Sequence, residues 1–301
     1  MSSPAAMTPE PFRCGAIALI GRPNVGKSTL MNALLGQKLS ITSRKPQTTR
    51  NCLRGVLTTG TTQFVFLDTP GFQTRYRGTL NRMMNRAVRG ALEAVDVVAL
   101  VVEAERFGAE DRKLLKLAPA NLPLVLVVNK VDTSKPAGLM AFLKKTATEA
   151  EFAEIVPVSA SRGKGLEELL RALERYLPEQ PAIHAEDDLT DRDERFLAAE
   201  LVREKLFRLL GEELPYSAGV EIEKFEEQEG MRRIHASIVV EKEGHKAIVI
   251  GSGGGKLKEI ATAARFDMEK LFGGKVFLQV WVKVRGGWTQ DEAVLRRMGY
   301  G

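Results

Sequence analysis

The chain has 301 residues, 44% apolar and 27% charged, with a formal net charge of +6. That length serves two domains, each able to bury its own core, in a soluble globular protein. No apolar run approaches the ~18–20 residues that span a bilayer, and Cys14 and Cys52 supply neither a disulfide framework nor metal-site spacing. A reducing cytoplasm is therefore the expected compartment. Residues 1–13 lack the basic start and apolar stretch of a signal peptide and read as a flexible leader.

The run Ala16–Ile20 reads as a buried strand, and Thr29–Leu35 has helical spacing. Between them Gly21, Arg22, Pro23, Asn24, Val25, Gly26, Lys27 and Ser28 satisfy the phosphate-loop pattern G-x-x-x-x-G-K-[ST]. A loop so placed turns backbone N–H groups inward at the positive end of the helix dipole and cradles phosphates. Lys27 is expected on the β- and γ-phosphates, Ser28 on Mg²⁺, and Thr29 beside the nucleotide. The next segment, Lys45–Arg50, is polar with no core-forming pattern. One of its threonines is expected on Mg²⁺ when a triphosphate is bound: Thr49 first, Thr48 second.

The strand Thr62–Leu67 ends in Asp68-Thr69-Pro70-Gly71. Asp68 at a strand tip can hold Mg²⁺ through a water, opposite Ser28, and the Gly71 N–H can bond a γ-phosphate. Residues 40–50 and 71–80 thus read as two segments that order with nucleotide state. Further on, Leu124–Val128 closes in Asn129-Lys130-Val131-Asp132. The Asp132 carboxylate suits the N1–H and N2 amine of guanine; adenine would leave it unpaired, a discrimination of roughly 10⁴–10⁵. Asn129 braces the loop, Lys130 covers the base, and Ser159-Ala160, after Ile155–Val158, presents a backbone N–H to guanine O6. Phe72 stands where small switch proteins carry a water-orienting glutamine, so intrinsic turnover is expected to be slow.

In this order, G-R-P-N-V-G-K-S, K-P-Q-T-T-R, D-T-P-G, N-K-V-D and S-A resemble the translation-factor-like GTPases of the TrmE–Era group. The resemblance implies a mostly parallel α/β domain with helices on both faces over residues 14–180, hydrolysing GTP to GDP and phosphate. Lys27, Asn24, Thr49 and Gly71 would form the catalytic set. Asn24 matches an asparagine that holds K⁺ in related GTPases, and K⁺ stimulation is the expectation.

Residues 181–190, bounded by prolines, read as a linker. Thr190 can cap a helix from about Asp191 to Leu210, followed by strands Gly219–Phe225 and Ile234–Val240. A V-I-G-x-x-G turn, Gly251-Ser252-Gly253-Gly254, then joins two helices, and Lys275–Lys283 reads as a closing strand. This is the signature of a type II KH domain over residues 191–301, including a C-terminal tail. Its G-x-x-G loop clamps about four nucleotides of RNA. Ile248 and Ile250 would line the groove. The loop's middle positions, Ser252 and Gly253, lack the usual basic residues, so Lys246, Lys256, Lys258 and Arg265 are expected to supply the charge. Residues 231–301 carry +6, against −9 over 181–230 and +9 over 1–180, which favours an anionic partner at the C-terminal end.

Ile41–Lys45, Arg203–Leu206, Glu213–Ser217, Leu278–Val284 and Trp288 extend the resemblance to the KH-bearing members of the group, across residues 14–301. It implies GTP and GDP as ligands, the 3′ end of small-subunit ribosomal RNA and the 30S particle as partners, a role in 30S maturation, and peripheral membrane association. A monomer is expected. The alternatives are a GTPase scaffold whose C-terminal domain contacts protein and a nucleotide sensor that does not hydrolyse.

Overall fold

A computed structural model describes residues 11–72, 78–211 and 213–300. Most of the expected leader and residues 73–77 of the second switch segment lie outside these. The first half alternates strands and helices: β1 (Arg13–Ile20), α1 (Lys27–Leu35), β2 (Leu53–Thr59), β3 (Thr62–Asp68), α2 (Thr79–Glu93), β4 (Val97–Glu103), α3 (Ala109–Leu115), β5 (Leu124–Asn129), α4 (Pro136–Thr146), β6 (Glu154–Pro157) and α5 (Leu166–Glu174). The six strands form one sheet in the order β2-β3-β1-β4-β5-β6, parallel except for the β2–β3 hairpin. Near-continuous apolar strands such as Val97–Val102 are buried throughout, as a sheet covered on both faces requires. The connection leaving β1 runs to the β2–β3 side of the sheet, whereas the one leaving its neighbour β4 runs the other way, to β5. The crevice outside the carboxyl end of β1 is therefore the topological switch point, where ligands of open α/β sheets bind.

The second half contains α6 (Glu194–Leu209), β7 (Ala218–Gln228), β8 (Met231–Val240), α7 (Glu243–Ile250), α8 (Gly255–Phe272), β9 (Lys275–Val284) and α9 (Glu292–Arg297). Its sheet runs β7-β8-β9, antiparallel then parallel. α6 and α8 bury Leu201, Val202, Ile260, Ala264 and Met268 against Ile234, Ala236 and Ile238. This is the expected α-β-β-α-α-β order.

Two expectations at the junction need correction. The cap of α6 is Asp193, whose carboxylate accepts from the Phe196 N–H at 2.8 Å. Thr190 instead donates to the Arg54 carbonyl at 2.6 Å and accepts from the Arg192 N–H, so the helix starts after it. Residues 181–190 also do more than link. The Gln63 amide oxygen accepts from the Ile183 and His184 N–H groups, both at 2.9 Å, and the Leu189 carbonyl accepts from Val56 N–H. A polar side chain in β3 thereby pins the crossing segment to the first sheet.

Candidate functional site

A cleft of about 450 Å³ opens at the switch point, lined by phosphate-loop residues 23–24 and 26–29, by residues 41–44 and 47–49, and by Gly71 and Lys130. The loop geometry depends on Gly26, which sits at φ 101°, where a Cβ would come within 2.4 Å of the Asn129 amide nitrogen. Lys27 is buried, and its ammonium donates to the Gly21 and Arg22 carbonyls at 3.0 and 3.1 Å. Burial pushes its pKa down to about 8 against the opposing pull of Asp68. A phosphate entering the loop would supply the anionic partner that favours the charged form.

The oxygens around Lys27 suit a hard divalent cation. Ser28 Oγ and Thr49 Oγ1 are 2.8 Å apart. Asp68 is fully buried; one oxygen accepts from Ser40 Oγ at 2.8 Å and the other has no partner. Burial raises its pKa, while Lys27 and the serine hydroxyls oppose the rise. An orphaned carboxylate oxygen near two hydroxyls fits Mg²⁺, with Ser28 and Thr49 as direct ligands and Asp68 beside them. Thr48 is spent elsewhere, on Ser43 Oγ and the Lys45 carbonyl. Of the two threonines, Thr49 is the one that faces Ser28.

On the base side, Asn129 ties three loops together. Its Nδ2 donates to the Val25 carbonyl at 2.9 Å, and its Oδ1 accepts from Lys130 N–H and Ala160 N–H at 2.8 and 3.0 Å. Of the two N–H groups that Ser159-Ala160 could offer guanine O6, that of Ala160 thus donates to Asn129, and a base oxygen would have to share it. The Ser159 N–H is likewise used, by the Lys164 carbonyl. Ser159 Oγ donates to Asp132 Oδ1 at 2.5 Å, which holds that exposed carboxyl below its ordinary pKa and therefore ionised.

The side chains of several residues grouped with the nucleotide on sequence also brace the site. Arg22 turns outward to Asp111 at 2.8 Å and to the Arg106 carbonyl. Val25 and Phe72 are 1% and 5% exposed and pack into the cores on either side of the sheet. Thr69 donates to the Leu19 carbonyl, and Pro70 is buried between the strand tip and Gly71. Asn24, at φ 65°, donates its amide N–H to the Arg44 carbonyl at 2.9 Å, joining phosphate loop to switch segment. Glu103 and Arg106 also line the cleft, and Glu103 lies 3.3 Å from the Lys130 ammonium. Lying at the end of β4 and just beyond it, outside any motif, they carry no sequence signal.

In the second half the G-x-x-G turn stands between α7 and α8 as expected. Gly251 at φ 71° passes so close to Lys256 that a Cβ would lie 2.6 Å from it. Ile248 is 56% exposed beside the turn, while Ile250 tucks against the core. Ser252 and Gly253 are exposed at its tip. The four expected cations differ. Lys256 and Arg265 pair with Glu259 and Glu269 of their own helix at 2.7 and 2.8 Å, and Lys246 lies 3.9 Å from Glu243. Arg265 is also ~13 Å along α8 from Lys256. Lys258 is exposed near the turn and pairs with no carboxylate among the described residues.

Fold and site together define a phosphate-loop GTPase domain joined to a KH domain. Family models agree: "50S ribosome-binding GTPase" matches residues 16–130 and "KH domain" matches residues 213–289. The chain is 55% identical over 294 residues to GTPase Era of Chromobacterium violaceum, covering 97% of this chain and 99% of that protein. It is 53% identical to GTPase Era of Nitrosomonas eutropha, covering 98% and 100%. Two crystal structures superpose with TM-scores of 0.93. One, an Aquifex aeolicus Era variant bound to GDP·AlF₄⁻, is 37% identical, covering 96% of this chain and 100% of that one. The other, Era with MgGDPNP and nucleotides 1506–1542 of 16S ribosomal RNA, is 38% identical, covering 96% and 99%. The chain belongs to the Era GTPase family, and it is a GTPase with a C-terminal KH domain.

Proposed function

We propose that this GTPase is a GTP-gated RNA-binding factor that engages the 3′ end of small-subunit ribosomal RNA and assists maturation of the 30S particle. The similar Era structure holding both MgGDPNP and a 16S segment supports this reading. The observation that carries it is the seating of the first switch segment. Thr49 faces Ser28 in the cleft, while the next residue, Arg50, is 2% exposed within the second half of the chain. Its guanidinium donates to the Pro215, Tyr216 and Ala218 carbonyls and to the Tyr300 hydroxyl. Whatever holds Thr49 thereby holds Arg50, and through it the KH domain.

In the cycle, Lys27 and the loop N–H groups take the β- and γ-phosphates, Asp132 selects guanine, and Thr49 and Gly71 close on the triphosphate. Ser28 and Thr49 would hold Mg²⁺ and the Asn24 amide oxygen would hold K⁺, and these ions would supply positive charge to the transferring phosphoryl group. Hydrolysis releases Thr49, loosens the Arg50 seat and frees the RNA. We propose that it works as a monomer in the cytoplasm, and the basic net charge of +6 would favour peripheral attraction to the anionic inner membrane face. No helix among the described residues is long and apolar enough to cross a membrane. The test is the affinity of the full chain for a 16S 3′-end oligonucleotide with Mg²⁺ and either GDP or a non-hydrolysable GTP analogue. Tighter binding with the analogue is expected; equal affinity in both states rejects the gate.

A further inference from the structure

The face of the β7-β8-β9 sheet that turns away from α6 and α8 carries side chains used neither by the nucleotide cleft nor by the G-x-x-G turn. Edge strand β9 directs alternate residues to it: Lys275, Phe277, Gln279, Trp281 and Lys283. The intervening Val276 and Val282 are buried in the core, whereas Phe277 is 45% exposed. His235 of β8 stands edge-on to both rings, its centroid 6.5 Å from Phe277 and 6.0 Å from Trp281. The three form one continuous aromatic surface.

Cations frame it. Arg233 lies 5.9 Å from the Phe277 ring centroid and the Lys283 ammonium 5.7 Å from that of Trp281. Lys283 pairs with Glu223 at 2.5 Å, and Glu226, opposite Arg233 in register, pairs with Lys224 at 2.9 Å. Arg233 and Lys275 have no carboxylate partner among the described residues. At the far end the C-terminal segment closes the same face, with Trp288 packed on Gly219 and Val239. The stretch along β9 is left open.

We propose that this face is a second RNA platform for unpaired nucleotides, with bases stacked on Phe277 and Trp281 and phosphates against Lys275 and Arg233. Gln279, between the rings, offers an amide to a base edge. Sheet aromatics that stack two or three bases are a recurrent means of holding single-stranded RNA, and stacking tolerates any base. The framing cations and the central amide favour a polyanion with flat bases over an apolar protein surface. The platform rests on the reading that the C-terminal domain binds RNA, and extends its footprint beyond the four or so nucleotides of the G-x-x-G clamp.

The chain has two tryptophans, and Trp288 is fully buried, so a base stacking on Trp281 is readable as quenched emission. The experiment titrates the full chain, with Mg²⁺ and a GTP analogue, with a labelled single-stranded RNA of about twelve nucleotides, within the span such sites cover. Anisotropy reads affinity in parallel. We expect the wild type to be quenched and Trp281→Phe to bind equally well without quenching. Phe277→Ala, with an unchanged thermal melt, should lose about 5- to 150-fold in affinity, the contribution of one stacked base. Gly253→Asp, which puts a negative charge on the G-x-x-G tip, should weaken binding and tests the underlying reading separately. If saturating RNA leaves the emission unchanged and Phe277→Ala binds as the wild type while Gly253→Asp is weakened, the platform is refuted and the clamp stands. RNA affinity indifferent to all three substitutions overturns both.

Discussion

The guanine selectivity proposed for Asp132 would rest on one exposed carboxylate whose geometry is set from beneath. Ser159, fully buried, donates to one oxygen of Asp132 and leaves the other free to face the base. Asp132→Asn keeps an acceptor for Ser159 but turns the free position into a donor, opposite the N1–H and amine donors of guanine. We expect GTP affinity to fall by roughly 10⁴, and xanthosine triphosphate, with a carbonyl where guanine has the amine, to bind better than GTP. Titration with fluorescent nucleotides reads both, and GTP affinity within tenfold of wild type refutes the assignment. Asn24 gives the second prediction at this scale. Its amide N–H is spent on the Arg44 carbonyl, so its oxygen is the atom available to a cation in the cleft. Hydrolysis should be faster in KCl than in NaCl at matched ionic strength, and Asn24→Ala should abolish the difference. Equal rates in the two salts would remove K⁺ from the mechanism.

The first switch segment is best understood as an element with two attachments. Its nucleotide end is Thr49, and its other end is Arg50, whose guanidinium also lies 5.5 Å from the Phe207 ring centroid and 5.7 Å from that of Tyr300. Next to it, Asn51 is 5% exposed with both amide atoms unpartnered. Buried polar groups left unpaired cost about 1–3 kcal/mol each, so the segment has something to gain by moving. Arg50→Ala strands three carbonyls, each costing about 1–3 kcal/mol when left unpaired, and should lower stability. Its diagnostic effect is on coupling: the difference in RNA affinity between the GDP and GTP-analogue states should shrink while GTP affinity changes little. A variant that keeps the full difference shows that Arg50 is packing alone. The motif end of this element was legible in sequence, because phosphate-loop, D-T-P-G and N-K-V-D chemistry depends on residues a few positions apart. Sequence puts Thr49 before Thr48 at the metal, and Thr49 Oγ1 is the hydroxyl that lies 2.8 Å from Ser28 Oγ. The Arg50 seat was not legible, since its partners lie 165 to 250 residues away. The same holds for Thr190 and the Ala160 N–H. Each was assigned to a local partner, a helix start or a base, and each is held by a bond to another loop or strand. Of the expected RNA-binding cations, Lys256 and Arg265 bond carboxylates three and four residues on, a cost that charge counting overlooks.

At the scale of the whole molecule the two halves are clamped by charge as well as by the Trp288 contact. Lys38, just after α1, reaches Glu204 at 2.5 Å and Asp267 at 2.6 Å. Glu204 also accepts from Lys205, Arg208 and the Thr42 N–H, each at 3.0 Å, and its side chain is fully buried. Lys205 bonds Asp267 as well. Burial alone would raise both carboxyl pKa values, but the hydrogen bonds and ammonium groups around them win and hold both down. A carboxyl depressed in the folded state contributes stability above its unfolded value, and that contribution is lost as pH falls through the folded value. The ordinary values are 4.5 for Glu204 and 3.8 for Asp267, so the clamp should hold fully near neutrality and fail progressively below about pH 4.5. Glu204→Gln removes the charge at every pH and leaves the buried Lys205 ammonium and the half-buried Lys38 under-paired, a loss of up to about 3–5 kcal/mol at pH 7. Thermal melts from pH 7 to 3 should show a wide gap between wild type and variant at neutrality that narrows as the wild type protonates. A gap that stays constant into acid would mean that Glu204 joins the domains by shape, with no electrostatic part. Because Thr42 of the switch segment bonds this same carboxylate, the variant should also weaken the dependence of RNA affinity on GTP, linking the clamp to the nucleotide cycle.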